Sequence, residues 1–424
     1  MNESSESGIV VVVGQGYVGL PIAMRAVEVG YDVIGIDVDP KRVDALNRGE
    51  SYVEDVAAAD LAAAIASGRY RASTDYAAAA GFRTAVVTVP TPLRETLPDL
   101  SYIEDAARSL AAQLTAGALV VLESTTYPGT TEELFVPLLE AGSGLRADKD
   151  FAVGYSPERI DPGNPTWNFV NTPKVVSGTS DASLERVRGF YESIVEKTVS
   201  VSTPREAELT KLLENTFRHV NIALINELAI FADSLNVNVW EAIDAASTKP
   251  FGYMRFTPGP GVGGHCLPVD PSYLSWQVRR SLGESFRFVE LANDVNEHMP
   301  AYSISRLTRM LNRERRSVGG SRIVVLGVGY KKNTGDARES PANKIIDLLQ
   351  EMDAEVVVID AFVDPTRLPD GVTACTVAEV VKDGFDAAIL VTDHDNLDYD
   401  ELVRTGRPIL DTRNVLRGNN VDTL

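Results

Sequence analysis

The segment Gly8–Pro40, "GIVVVVGQGYVGLPIAMRAVEVGYDVIGIDVDP", decides the fold. Its apolar run Ile9–Val13 is the pattern of a strand buried on both faces, where alternation is lost because neither side meets water. A helical stretch follows from about Tyr17 to Gly30, then a second strand from about Asp32 to Asp37. Between strand and helix, Gly14, Gly16 and Gly19 spell G-x-G-x-x-G. In that setting the glycines allow a tight turn and let a pyrophosphate reach the helix N-terminus, whose N–H groups favour an anion. Asp37 closes the second strand, where a carboxylate accepts hydrogen bonds from ribose hydroxyls and repels a 2′-phosphate. The cofactor expected here is NAD rather than NADP, although Arg42 nearby is of a type that accommodates that phosphate.

Strand-like runs continue outward in "TAVVTVP", "ALVVLES", "DFAVGYSP" and "PKVVSG", with Ala-rich helical stretches between them. Strands alternating with helices predict an α/β fold with a parallel, doubly wound sheet. Near Ser202 the character changes. "TPREAELTKLLENTFRHVNIALINELAIFADSL" is one long helical pattern, capped by Thr203, with Pro204 at its first position and Glu206 completing a capping box. Leu209, Leu213, Val220, Leu224, Leu228, Phe231 and Leu235 form an apolar stripe, read as a homodimer surface. Lys211 and Asn215, four apart, project together from a different face.

"RMLNRERRSVGGS", residues 309–321, reads as a charged linker. Beyond it the opening pattern partly repeats in "SRIVVLGVGYKKNTGDARESPANKIIDLLQEMDAEVVVIDAF": strand, G-x-G-Y, helix, strand. The third glycine is missing, and a basic loop with Lys331, Lys332 and Arg338 precedes a helix that Ser340 caps and Pro341 starts. The chain therefore holds two nucleotide-fold halves, doubly wound and Rossmann-like, joined by a long central helix. They differ at the phosphate turn and so in what they bind.

Composition narrows the partners. The chain has 424 residues and a net charge of −20, which disfavours nucleic acid and anionic membrane surfaces. Two cysteines make no disulfide framework, the opening "MNESSESG" has no apolar signal core, and no apolar run reaches membrane-spanning length. A soluble, cytoplasmic protein without a metal site is expected.

One of the two cysteines, Cys266, stands in "TPGPGVGGHCLPVDP", Thr257–Pro271, a stretch whose glycines and prolines disfavour helix and strand. Such a loop lets backbone approach a ligand closely, and the N–H groups around Gly261, Gly263 and Gly264 are suited to an anion. His265 adjoins the thiol, but neighbouring side chains diverge, so a structural or substrate-contacting role fits it better than that of base. Asp270 follows four residues on; taken alone it is an ordinary turn aspartate before Pro271, as Lys211 alone is a solvated helix lysine.

Together "GQGYVG", "STTYPGTT", "YSPERIDPGN", "LTKLLENTFRHVNIALINE", "GPGVGGHCLPVD" and "GYKKNTGDARESP" resemble, in order and over nearly the whole chain, the UDP-glucose/GDP-mannose dehydrogenase family. "YSPER…PGN" and "GGHC" are most similar to the branch acting on UDP-N-acetylglucosamine and related N-acetylated sugars, with Ile160 where that branch usually has an acid. The resemblance implies NAD-dependent, four-electron oxidation of a sugar C6 alcohol to the uronic acid. UDP-N-acetylglucosamine is the first candidate substrate, and UDP-N-acetylmannosamine and UDP-glucose are next. It makes Cys266 the nucleophile, Lys211 and Asn215 the donors to the oxyanion, Asp270 the positioner of a water or acceptor of the alcohol proton, Glu158 the carboxylate of thioester hydrolysis and Thr125 the holder of the catalytic water. It implies cofactor contacts from Gly14, Gly16, Tyr17, Val18, Gly19, Asp37, Arg42, Val89, Pro90, Thr91, Ser124, Thr125 and, from the C-terminal half, Arg338. Substrate contacts are implied for Tyr155, Glu158, Arg159, Lys211, Asn215, Arg255, Gly261, Gly263, Tyr330, Lys331 and Arg413, with the substrate expected between the two halves. The corresponding domains are residues 1–202 for NAD, 203–312 for the helix and catalytic loop, and 313–424 for the UDP-sugar. A simple two-electron dehydrogenase, which needs no thiol, and a non-catalytic NAD-sensing protein are the competing readings.

Overall fold

The computed structural model describes residues 8–53, 55–94, 97–161, 164 and 166–424 apart from His265; of Cys266 and Pro268 it describes the backbone only. The chain forms two compact units, residues 1–214 and 215–424.

The first unit is an α/β sandwich around eight strands: β1 Ile9–Val13, β2 Asp32–Ile36, β3 Tyr70–Ser73, β4 Thr84–Val87, β7 Leu119–Leu122, β8 Ala152–Tyr155, β9 Lys174–Gly178 and β10 Thr198–Ser200, with a two-residue hairpin pair, β5 Leu93–Arg94 and β6 Leu97–Pro98, outside the sheet. The order is β10-β9-β8-β7-β4-β1-β2-β3. Period two shows within β1: Val10 and Val12 enter one core layer, Val11 and Val13 the other. From β3 to β8 every pairing is parallel. The sheet is parallel as expected, with one antiparallel pairing at the far edge, between β9 and β8. A parallel neighbour needs a crossover, usually a helix, and residues 156–173 supply none among the described residues, so the chain returns in the opposite sense. The helix Asp181–Ile194 then provides a crossover, and β10 runs parallel to β9.

The second unit repeats the architecture with β11 Arg322–Leu326, β12 Glu355–Ile359, β13 Thr373–Ala374, β14 Ala387–Leu390, β15 Ile409–Asp411 and β16 Val421–Thr423, all parallel in the order β13-β12-β11-β14-β15-β16. Ser340 caps the helix Pro341–Glu351 by accepting from Ala342 N–H, as its sequence predicts.

The long helix, Pro204–Ser234, crosses from the first unit into the second. Thr203 Oγ1 accepts from Arg205 N–H at its start. The helix buries small and polar groups, among them Ala207, Glu208, Lys211, His219 and Asn226, and leaves its apolar stripe in solvent, with Leu213 62% and Phe231 53% exposed. Two sequence expectations are corrected here. "RMLNR" is not linker: the helix Arg287–Arg313 runs through it because Leu307, Met310 and Leu311 are buried at helical spacing while Arg309 and Arg313 face out. The stretch after Gly264 is not loop either: a helix spans Cys266–Leu282. Pro268 falls in its first turn, where a missing N–H costs nothing, and Pro271 sits inside it. Among the described residues no helix is long and apolar enough to cross a membrane.

Candidate active site

In the first unit the three glycines of the opening motif serve three needs. Gly14 has φ +90, a backbone that disfavours a side chain, and a Cβ on it would lie 2.7 Å from Thr88 O. A Cβ on Gly19 would come 1.8 Å from Gly14 O, so the helix packs against the turn only without one. A Cβ on Gly16 would meet nothing within 4 Å, which is the open space a pyrophosphate needs. Asp37 is buried and braces this turn: Oδ2 accepts from Gln15 N–H at 2.9 Å and Oδ1 from Asp39 N–H at 3.0 Å. Arg42 lies 3.6 Å from Asp37 Oδ2 and 3.8 Å from Asp39, already engaged by carboxylates rather than held out for a phosphate. The turn fits NAD as the sequence reading expects.

Val89, Pro90 and Thr91 follow β4, and Ser124 and Thr125 follow β7, on the carboxyl side of the sheet where open α/β folds bind ligands. Ser124 Oγ donates to Val89 O at 2.8 Å, tying the two segments together. Glu208 of the long helix pins the next turn, accepting from Gly129 N–H at 2.5 Å, Thr131 N–H at 2.9 Å and Thr131 Oγ1 at 2.7 Å. Burial raises its carboxyl to about 7 against these donors.

Glu158 is buried, and its Oε1 accepts from Arg159 N–H at 2.6 Å and Ile160 N–H at 2.5 Å. Its Oε2 is 3.0 Å from Lys174 Nζ. Lys174, at the start of β9, also pairs with Glu123, whose other oxygen accepts from Tyr191 Oη at 2.9 Å. The Lys174 ammonium lies 5.5 and 5.4 Å from the Phe169 and Tyr191 ring centres. Burial raises the Glu158 carboxyl above its ordinary range, with the Lys211 charge pulling the other way. Burial, then the Lys211 charge, push the Lys174 ammonium well below its own. Arg159 is committed to Glu214, at 2.6 and 3.2 Å, and to Pro173 O at 2.6 Å. Tyr155, expected from the sequence to contact substrate, is wholly buried in the core, and its hydroxyl donates to Ser124 O at 3.3 Å.

In the second unit Asn215 Nδ2 donates to Asp270 Oδ2 at 2.6 Å, joining the long helix to the helix that opens on Cys266. His265 and the Cys266 thiol lie outside the described residues. The glycines of the loop before them sit where a side chain would clash. A Cβ on Gly263 or Gly264 would strike Tyr330, at 3.1 and 2.9 Å, one on Gly261 would meet Pro341 at 3.0 Å, and one on Gly259 would meet Arg413 Nη1 at 3.2 Å. Tyr330 and Arg413 thereby pack against the Gly259–Gly264 loop. Arg413 Nε donates to Val391 O at 2.6 Å. Arg255 pairs with Asp244 at 2.8 Å, and Arg338, 73% exposed, with Asp336 at 2.6 Å.

A buried polar chain holds the same loop. Gly259 N–H donates to Asn226 Oδ1 at 2.9 Å, and Asn226 Nδ2 to Asn296 Oδ1 at 2.9 Å. Asn296 Nδ2 then faces His219 Nδ1 and His219 O, each at 3.4 Å. Because the Gly259 N–H can only donate, both amides are fixed in orientation, and neutral His219 with its proton on Nε2 completes the chain by accepting at Nδ1 and donating to Asn293 Oδ1 at 2.7 Å. Burial lowers the His219 pKa, in keeping with that state.

Sequence reasoning missed Lys174, Glu123, Tyr191, Glu208 and this amide chain. A usable signal existed for two of them: Glu123 and Lys174 directly flank apolar strand runs, where a charge must be paired or solvated.

Comparison with known proteins now adds the family. Residues 9–195 match the model of the NAD-binding domain of the UDP-glucose/GDP-mannose dehydrogenase family, residues 205–298 its central domain and residues 324–418 its UDP-binding domain. The UDP-N-acetyl-D-mannosamine dehydrogenase of Pyrococcus horikoshii is 36% identical over 96% of this chain and 96% of its own. The UDP-N-acetyl-D-glucosamine 6-dehydrogenase of Pseudomonas aeruginosa is 39% identical over 84% of this chain and 82% of its own. Among solved structures, that of the UDP-D-ManNAc dehydrogenase from Pyrococcus horikoshii superposes with a TM-score of 0.89 at 34% identity over 98% of both chains. A UDP-glucose dehydrogenase from Pyrobaculum islandicum gives 0.88 at 28% identity, covering 100% of this chain and 98% of that one.

Proposed function

The chain belongs to the UDP-glucose/GDP-mannose dehydrogenase family, and we propose that it oxidises the C6 alcohol of a UDP-N-acetylhexosamine to the carboxylate, with UDP-N-acetylglucosamine the first candidate and its 2-epimer, UDP-N-acetylmannosamine, the second. Relatives named for each of these sugars stand at comparable identity, which supports the class and leaves the C2 configuration to the assay. In this reading residues 1–202 serve NAD, 203–312 carry the catalytic loop and 313–424 serve the UDP moiety. NAD, when bound, supplies the hydride acceptor for both oxidations. Gly14, Gly16, Gly19 and Asp37 hold it, with Tyr17, Val18, Val89, Pro90, Thr91, Ser124 and Arg338 as further contacts.

The observation that carries the reading is the 2.6 Å bond between Asn215 and Asp270, which fixes a donor and an acceptor beside the start of the Cys266 helix. Asp270 receives the alcohol proton through a water. Lys211 and Asn215 donate to the oxygen as negative charge develops on it, an effect of about 3 kcal/mol for each donor. An aldehyde has no good hydride to lose until a nucleophile adds to it, and Cys266 supplies that nucleophile. Its sulfur bonds to C6 as the carbonyl π bond opens, and loss of the C6 hydride leaves a thioester. Thr125 holds the hydrolytic water; Glu158 takes a proton from it, oxygen bonds to C6, and the C–S bond breaks with sulfur leaving as thiolate. Tyr330, Lys331, Arg413 and the backbone of Gly261 and Gly263 contact the UDP-sugar. The exposed stripe of the long helix supports a homodimer, which light scattering at working concentration tests.

NADH released per UDP-N-acetylhexosamine consumed tests the reaction. Two equivalents are expected, and one equivalent refutes the four-electron reading. Cys266→Ser should lose carboxylate formation; unchanged carboxylate output refutes the covalent step.

A further inference from the structure

Lys174 is absent from the roles just assigned, yet it is the most deeply buried ammonium among the described residues near Glu158, with its side chain 4% exposed. Such a charge persists inside a protein only when it is paired and hydrogen-bonded on every side. Its pairings form a row: Tyr191 donates to Glu123, Glu123 pairs with Lys174, and Lys174 reaches Glu158 Oε2 at 3.0 Å. The partners come from the end of β7, the helix Asp181–Ile194 and the segment after β8, so three elements converge on the ammonium at the start of β9. Glu158 keeps only limited freedom, since two backbone N–H groups hold Oε1 and Lys174 holds Oε2.

We propose that Lys174, held from behind by Glu123 and Tyr191, is a positioning residue that orients the Glu158 carboxylate and sets its charge for the hydrolytic step. The proposal rests on the reading of Glu158 as base of that step. A base works best with a pKa near the working pH. Burial drives Glu158 up, while the Lys211 charge, the Ile160 and Arg159 N–H groups and the Arg159 charge draw it down; Lys174 Nζ, 3.0 Å from Oε2, holds the carboxylate from the other side and is shared with Glu123. Glu158 therefore responds to a balance in which Lys211 and Arg159 are the other charges acting on it, and the neutral Tyr191 packs behind.

The balance predicts opposite effects from its two ends. Lys174→Met removes the cation, so the pH profile of thioester hydrolysis should move alkaline by about 1–3 units. Glu123→Gln keeps the shape but releases the cation to Glu158, so the profile should move acid. A merely structural role would slow both variants without displacing their profiles in opposite directions. The experiment is rapid quench of the enzyme with NAD and UDP-N-acetylglucosamine or UDP-N-acetylmannosamine from pH 5 to 10, with intact mass reporting the adduct on Cys266. Glu158→Gln is run beside it and should accumulate that adduct. If it does not, the reading of Glu158 fails and the proposal falls with it. If it does, and the Lys174→Met and Glu123→Gln profiles coincide with the unmodified enzyme's, the proposal alone is overturned. Should Lys174→Met not fold, the acid displacement in Glu123→Gln decides the matter by itself.

Discussion

Gly16 and Gly19 differ by three positions and should fail in opposite ways when each becomes Ala. At Gly19 the added methyl would sit 1.8 Å from Gly14 O and 2.5 Å from Thr88 Oγ1. Real Cβ contacts stay beyond about 3.0 Å, so the helix Gly19–Glu28 must move away from the turn by more than an ångström at that point. Overpacking of this kind costs about 1–3 kcal/mol, and contact with fixed backbone puts it at the upper end. For a unit of this size that lowers the first thermal transition by roughly 6–12 °C. At Gly16 nothing stands within 4 Å and φ is not positive, so the unliganded protein should tolerate Ala or gain about 0.4–1 kcal/mol from a less flexible unfolded chain. The cost appears only with ligand, because the methyl then occupies space required by the pyrophosphate. A clash of about 1–3 kcal/mol corresponds to a five- to 150-fold loss of NAD affinity. Calorimetric melting and NAD titration, run on both variants, separate the two effects. Gly16→Ala binding NAD with unchanged affinity would refute the assignment of that space.

Asp37→Ala should weaken NAD and relax the rejection of NADP, read as the ratio of kcat/KM for the two cofactors; an unmoved ratio refutes the ribose assignment. The Glu208 carboxyl is raised to about 7 by burial, so it binds more protons in the folded than in the unfolded state. Its contribution is present below about pH 4.5 and lost as pH rises through 7, so stability should fall by about 3 kcal/mol across that window. Glu208→Gln should flatten this slope in a melting series, and an unchanged slope refutes it. His219→Leu removes the acceptor facing Asn296 and should cost about 1–3 kcal/mol. His219→Asn places a carbonyl near the lost Nδ1 and should recover part of that stability together with kcat; equal damage from both variants refutes the acceptor role.

Local signals were read correctly because local chemistry enforces them. Thr203 and Ser340 accept from backbone N–H groups two residues on, and those bonds exist whatever the rest of the chain does. Gly14 and Gly19 answer to a turn and a packing contact made within a few residues or across one strand. The buried row at Glu158 was invisible for the converse reason: Glu123 and Lys174 are 51 residues apart and meet only because β7 and β9 flank β8. Nor did the glycine and proline count of Thr257–Pro271 disclose that helix begins at Cys266. A proline in a first turn loses no hydrogen bond, so Pro268 was no breaker, and the helix runs on through Pro271. Similarly, Arg309 and Arg313 gave residues 309–313 the look of linker while Met310 and Leu311 were packing inward.

The two nucleotide-fold halves show how one frame comes to bind different ligands. Each has a G-x-G turn and an acid at the end of the second strand, Asp37 and Asp360. Asp37 receives two backbone N–H groups and stands beside a turn with open space at Gly16. Asp360 is saturated. Its Oδ2 accepts from Val328 N–H at 2.7 Å, Gly329 N–H at 3.2 Å and His394 Nε2 at 3.0 Å, and its Oδ1 from Phe362 and Val363 N–H at 2.8 and 2.9 Å. Burial opposes ionisation there, but the His394 and backbone donors outweigh it and hold the carboxyl well below its usual range. With five donors it has no capacity left for ribose hydroxyls. His394 is fixed in turn by Asn333 N–H, at 2.9 Å to Nδ1, so the acid locks the loop that replaces the third glycine. A side chain in that loop, Tyr330, then covers Gly263 and Gly264. In the second half, which has a histidine on its acid and no third glycine, that acid is an internal brace and the basic loop packs against Gly263 and Gly264.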